Sequence, residues 1–176
     1  MPDGLTRYRV AIQAFGEWDT LSDVVGSLVE RGFEGGQFCI FGRVAQPAAV
    51  EMAAGNGRAD RTSDAGLETK LATVPTSLAT LSSQPPVHLH VAGHEPVEMR
   101  CGRAAIQLFA HADGDTYEAG WMRPDLTQSL ASDVDDGFVV LLLMSQTADQ
   151  QALGARLLLR HGTRELRTHE FSARQM

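Results

Sequence analysis

Apolar and polar positions along this chain fall into two periods that occur twice, in the same order. From Arg7 to Phe15, Tyr8, Val10, Ile12 and Ala14 lie on one side of an alternating pattern, which predicts a strand. Leu21, Val24, Val25, Leu28 and Val29 then recur at helical spacing and form one apolar stripe. Asp19 or Thr20 is the expected cap, and Gly32 the expected stop, since glycine accepts the left-handed conformation that ends many helices. Gln37 to Gly42, with Phe38, Ile40 and Phe41, predicts the return strand.

The second copy follows the same plan. Phe138 to Met144 is almost continuously apolar, as in a central strand packed on at least one face. Thr147 and Gln150 have the spacing of a capping box. Leu153, Leu157 and Leu158 carry the helix to a stop at Gly162, and Glu165 to Phe171 predicts the last strand. One offset relates Val10 to Val140, Asp19 to Asp149, Leu28 to Leu158, Gly32 to Gly162 and Phe41 to Phe171.

Two strand–helix–strand units of this size predict an α+β, ferredoxin-like fold. It is a split βαβ pair with a four-stranded antiparallel sheet and both helices on one face. The units span 7–43 and 137–172 of a single domain, 1–176, and 44–136 is a large central insertion with short helices and strands. An unstructured link of that length is rare inside a compact domain. Pro47 to Ala54 suits a short helix, and the Leu67, Leu71, Val74, Leu78, Leu81 stripe suits another, broken at Pro75. Val87, Leu89 and Val91 alternate with His88 and His90 as in a strand. Ala104 to Ala110 suits a strand or short buried helix, and Asp113-Gly114-Asp115 a turn. Pro124 opens a helix with Leu126, Leu130 and Val134, ending near Gly137. The insertion is also the natural cover for the sheet face that the paired helices leave bare.

Charge narrows the partners. A net charge of −7 argues against nucleic acid, which needs a clustered basic face. Arg156, Arg160, Arg164 and Arg167 form the clearest basic group, and a solvated helix face explains them more simply. Phe138 to Met144, the longest apolar run, is too short to span a bilayer, so no membrane insertion is expected. The N-terminus lacks a basic region followed by an apolar run, and the two cysteines form neither a CxxC pair nor a disulfide framework. The expected setting is soluble, reducing and cytoplasmic.

Candidate chemistry centres on histidine. His88 and His90 alternate on one predicted strand face, and Cys101 or His111 could complete a tetrahedral metal site. Zinc is the cofactor such a set would hold; no other cofactor motif is present. The plainer reading is a solvent-facing strand surface. Trp18, Trp121 and Tyr117 could line a ligand pocket between insertion and sheet, or form core. Asp133, Asp135 and Asp136 crowd a helix C-terminus, where the helix dipole disfavours them; the placement suits a cation site or a flexible, solvated junction, and the junction is expected.

Three stretches carry a family resemblance: Trp121-Met122-Arg123-Pro124 with the helix after it, Gly137-Phe138-Val139-Val140-Leu141-Leu142, and Leu158-Leu159-Arg160-His161-Gly162. With Phe15, the capped helix and Arg31-Gly32-Phe33, they resemble uncharacterised bacterial proteins related to the heat-induced, general stress protein 17M-like (YflT-type) domain. Relatives of that kind often place a glycine-rich apolar hairpin between the halves, whereas the insertion here is polar. The resemblance implies a stress-related role and no established reaction. Together these features predict a non-enzymatic binding or assembly module, a homodimer or the partner of a protein or small molecule. The alternative is an enzyme, metal-dependent or histidine-using, with its site between insertion and sheet.

Overall fold

The computed structural model of the chain describes residues 5–43, 81, 87–102 and 124–174. Strand β1 (Leu5–Phe15) leads to helix α1 (Trp18–Glu30), and a 3-10 turn (Gly35–Gln37) leads to β2 (Phe38–Arg43). The central stretch supplies β3 (Val87–Leu89), β4 (Val97–Cys101) and helix α2 (Pro124–Asp135). Strand β5 (Val139–Ser145), helix α3 (Ala148–His161) and β6 (Arg167–Arg174) follow. The offset that relates Val10 to Val140 also relates Trp18 to Ala148, the first residues of α1 and α3. The elements expected at Pro47 to Ala54, Leu67 to Leu78, Ala104 to Ala110 and Asp113 to Asp115 lie outside the described residues.

The described strands form one six-stranded sheet in the order β3-β4-β2-β5-β1-β6, and every pairing is antiparallel. The two repeated units interleave: β5 of the second lies between β1 and β2 of the first, while β1 lies between β5 and β6. Ile12 pairs with Leu142 on one side and Arg167 on the other. The sheet is wider than the four strands expected, because β3 and β4 of the insertion extend it beyond β2.

Strand alternation sorts the core onto two faces. Ala11, Phe15, Phe38, Ile40, Leu141 and Leu143 meet Leu21, Val24, Val25 and Leu28 of α1 and Leu158 of α3. Leu81, the one described residue of its segment, is buried in the same cluster. On the other face, Val10, Ile12, Cys39, Phe41, Val140 and Leu142 meet Leu126, Leu130, Ala131 and Val134 of α2. The helices of the two units, α1 and α3, therefore share one face, and helix α2 of the insertion covers the other. Fully burying a leucine or valine stabilises by about 1.5–3 kcal/mol, so α2's four apolar contacts are a substantial anchor.

Helix ends follow local chemistry. Gly32 has φ +90°, the Phe33 N–H donates to the Leu28 carbonyl, and that of Gly32 to Val29. The same pair of bonds recurs at α2, from Phe138 to Asp133 and from Gly137, with φ +90°, to Val134. Thr147 Oγ1 accepts from the Gln150 N–H at 3.2 Å, while the Gln150 side chain reaches back to the Gln146 N–H. Two expectations change. The first helix starts at Trp18 behind Glu17, which makes no side-chain cap, so neither Asp19 nor Thr20 is the cap. Gly162 has φ −69°, so its backbone would suit any residue. A Cβ there would overlap the buried Gln13 side chain, lying 2.6 Å from its Cγ, so any other residue must displace Gln13.

Candidate functional site

The densest polar arrangement is the seam where the end of α2 meets the sheet. Asp133 follows Leu130 by three residues, which turns it toward the sheet, and it is buried with its side chain 4% exposed. Its Oδ1 lies 3.1 Å from Arg164 Nη1 and its Oδ2 2.5 Å from Arg167 Nη2. Arg167 also donates to Ser129 Oγ. Arg164 reaches Asp136 Oδ2 at 2.5 Å, and its guanidinium lies 4.5 Å over the centre of the Phe138 ring.

Two more basic side chains close the seam. Arg43 of β2 donates to the Val134 carbonyl at 3.3 Å and to the Asp135 carbonyl, acceptors that the helix end leaves without an intrahelical donor. His94, in the loop between β3 and β4, places Nδ1 2.6 Å from Asp135 Oδ2. Only Asp133 departs fully from the expected solvated junction: it is buried, whereas Asp135 is half-buried and Asp136 exposed. Each of the three has a basic partner drawn from the loop between β3 and β4, the α3–β6 connection or β6, and this offsets their poor placement on the helix dipole. With both Asp133 oxygens held by arginines, the arrangement fastens the insertion to the second repeated unit.

A second link joins the insertion to the first unit. Cys39 of β2 and Cys101 of β4 stand directly opposite each other and form a disulfide, with Cα atoms 4.1 Å apart. The Gly102 N–H donates to the Phe38 carbonyl at 2.8 Å, so the cysteines occupy a non-hydrogen-bonded pair, the position where facing side chains approach most closely. The expectation of two unlinked thiols is corrected here. The alternation that turns Cys39 away from Phe38 and Ile40 also turns it toward Cys101. Both residues are buried, at 0% and 2% exposure.

Gln13 is fully buried on the face that carries α1 and α3. Its Nε2 donates to the Arg164 carbonyl at 2.6 Å and the Ala14 carbonyl at 3.3 Å. Its Oε1 and the buried Trp18 Nε1 have no hydrogen-bond partner among the described residues.

The sequence-derived candidates are dispersed. His88 is exposed and faces Glu98 across the β3–β4 pair, while His90 lies beyond the end of β3 and is also exposed. Register places His88 and Cys101 on opposite faces of the sheet, and Cys101 is bonded to Cys39. The structure does not bring these two together; His111 lies outside the described residues. Among the described residues no cluster of three or more histidine, cysteine or acidic side chains could hold a metal. Trp18 is half-buried against the core under α1 and α3, on the face away from α2, and Trp121 and Tyr117 lie outside the described residues. In the basic group, Arg164 and Arg167 are engaged at the seam, while Arg156 and Arg160 are exposed on α3.

Sequence reasoning missed the seam and the disulfide. The seam had a signal, since Asp133 shares the helical face of Leu126 and Leu130. The disulfide had half of one, the parity of Cys39; its partner lies in a strand whose two charges hide the alternation. No helix among the described residues is long and apolar enough to cross a membrane. Comparison with family models, curated proteins and solved structures gives no match.

Proposed function

We propose that this protein is a non-enzymatic binding or assembly module. Its core is a ferredoxin-like split βαβ pair, extended and covered by its own insertion. The supporting observation is how the chain uses its polar groups and surfaces. Asp133, Asp135, Asp136, Arg43, His94, Arg164 and Arg167 hold one another or helix-end carbonyls, and the chain's own helices occupy both sheet faces. The sheet ends in β6, an eight-residue strand whose outer side pairs with no other strand among the described residues. An exposed strand edge is a ready template for a partner strand. A second copy of the chain is the partner we assign, giving a homodimer in the cytoplasm. The family resemblance adds a stress-related role.

Sedimentation of the full chain, with hydrogen exchange, tests this. A dimer whose β6 amides gain protection as concentration rises is expected. A monomer at every concentration, with β6 exchange unchanged, contradicts the assignment. The alternative, a zinc- or histidine-using enzyme, rests on His88 and His90. It predicts stoichiometric zinc in the purified protein, lost in His88→Ala and His90→Ala; the module predicts no such metal.

A further inference from the structure

We propose that Cys39 and Cys101 form a redox-controlled staple that decides whether the β3–β4 ribbon stays on the β2 edge of the sheet. The inference stands apart from the binding reading and rests on three features. First, the two cysteines are the only ones in the chain, and the register sets them face to face on adjacent strands. Second, the bond joins unlike parts: β2 belongs to the first repeated unit, β4 to the insertion. Third, the pair sits at the end of the β2–β4 ladder, where Cys101 is the last residue of β4.

Strand order makes the ribbon separable. Among the described strands β3 and β4 are the outermost on their side, and β3 contributes only three residues. Lifting them breaks the β2–β4 pairing but leaves β2 paired to β5, and β1 paired to both β5 and β6. Opening exposes Leu89, Val97 and Met99 from the core beneath α2, while the pairings of β1, β2, β5 and β6 stay intact, so it is a sub-global event and not edge fraying. The sulfurs are buried, so opening must precede exchange at either one.

Closure runs by thiol–disulfide exchange with a small-molecule disulfide of the glutathione type. The Cys39 thiolate attacks one sulfur of that disulfide, forming a mixed disulfide and releasing one thiol. The Cys101 thiolate then attacks the Cys39 sulfur, forming the protein disulfide and releasing the second thiol. The two cysteine protons pass to the released thiolates. The protein loses two electrons, and the small disulfide gains them. A small dithiol reverses the sequence.

Hydrogen exchange on the full-length protein, equilibrated with oxidised glutathione or with dithiothreitol, reads the staple directly. In the reduced protein, amides of Val97–Cys101 are expected to exchange at least about tenfold faster than in the oxidised protein. Those of β1 and β5 should be unchanged, and reoxidation should restore protection. The double variant Cys39→Ala, Cys101→Ala should show the reduced pattern in both buffers. Equal β4 protection in the two wild-type states would overturn the proposal. So would an equal loss of protection across β1 and β5, since the bond would then hold the whole fold and not the ribbon. The wild-type comparison decides the matter even if the variant fails to fold.

Discussion

Replacing Gly102 by alanine is expected to destabilise the protein by about 3 kcal/mol or more, read as a fall in the urea midpoint at constant slope. A Cβ there would overlap the Gly35 carbonyl oxygen and the Gly36 Cα, and would lie 2.7 Å from the Gly36 carbonyl carbon. These are backbone atoms, so no rotamer change can clear the space. Relief requires moving the 3-10 turn at Gly35–Gln37 or the end of β4. The second is pinned by the hydrogen bond from Gly102 to Phe38 and by the adjoining Cys39–Cys101 bond. Gly26 is the control: it lies in the interior of α1, and a methyl group added to its Cα would meet nothing within 4 Å. Gly26→Ala should therefore stabilise by about 0.5–1 kcal/mol.

Asp133→Ala is the second large effect, expected at about 3 kcal/mol. The substitution removes one buried carboxylate that two guanidinium groups share. Arg167, 22% exposed, loses its ion-pair partner at the seam, whereas Arg164, 42% exposed, keeps Asp136 and solvent. The cost therefore arises mainly at Arg167. Asp136→Ala should cost less than about 1 kcal/mol, because that pair is solvent-screened. The loss should also be local: α2 amides should exchange faster in Asp133→Ala before those of β5 do. Equal effects of the two substitutions would mean that burial of Asp133 is not what holds the insertion helix.

The contrast between what can and cannot be read from the sequence follows from the range of the interactions involved. The stops at Gly32 and Gly137 are legible, because left-handed backbone is a local demand that glycine meets. The alternation of β1 and the continuous apolar run of β5 are legible because burial on a sheet is written residue by residue. Gly162 is a stop for a different reason than the local one: its constraint comes from Gln13, far away in sequence, and only the assembled fold reveals it. Strand β4 is hard to read although Val97, Met99 and Cys101 alternate with Glu98 and Arg100. Two charges in a short segment suggest a loop. Here they form a buried ion pair, Arg100 Nε to Glu98 Oε1 at 2.9 Å.

The candidate site is less legible for the same reason. His88 and His90 are near neighbours along the chain, but β3 stops at Leu89 and leaves His90 outside the strand. The seam gathers Arg43, His94, Asp133, Arg164 and Arg167 from five stretches, and their meeting depends on the path of the insertion across the sheet. Periodicity assigns a face to each residue; it does not say which other element will lie against that face.

Cross-strand nuclear Overhauser contacts in the intact protein test most directly whether the two repeated units build one sheet. Backbone contacts linking Ile12 with Leu142 and Val10 with His169 are predicted, since β1 lies between β5 and β6. A protein in which Leu5–Phe15 shows no contact with Val139–Ser145 or Arg167–Arg174 would contradict the shared sheet, and the seam and staple built upon it.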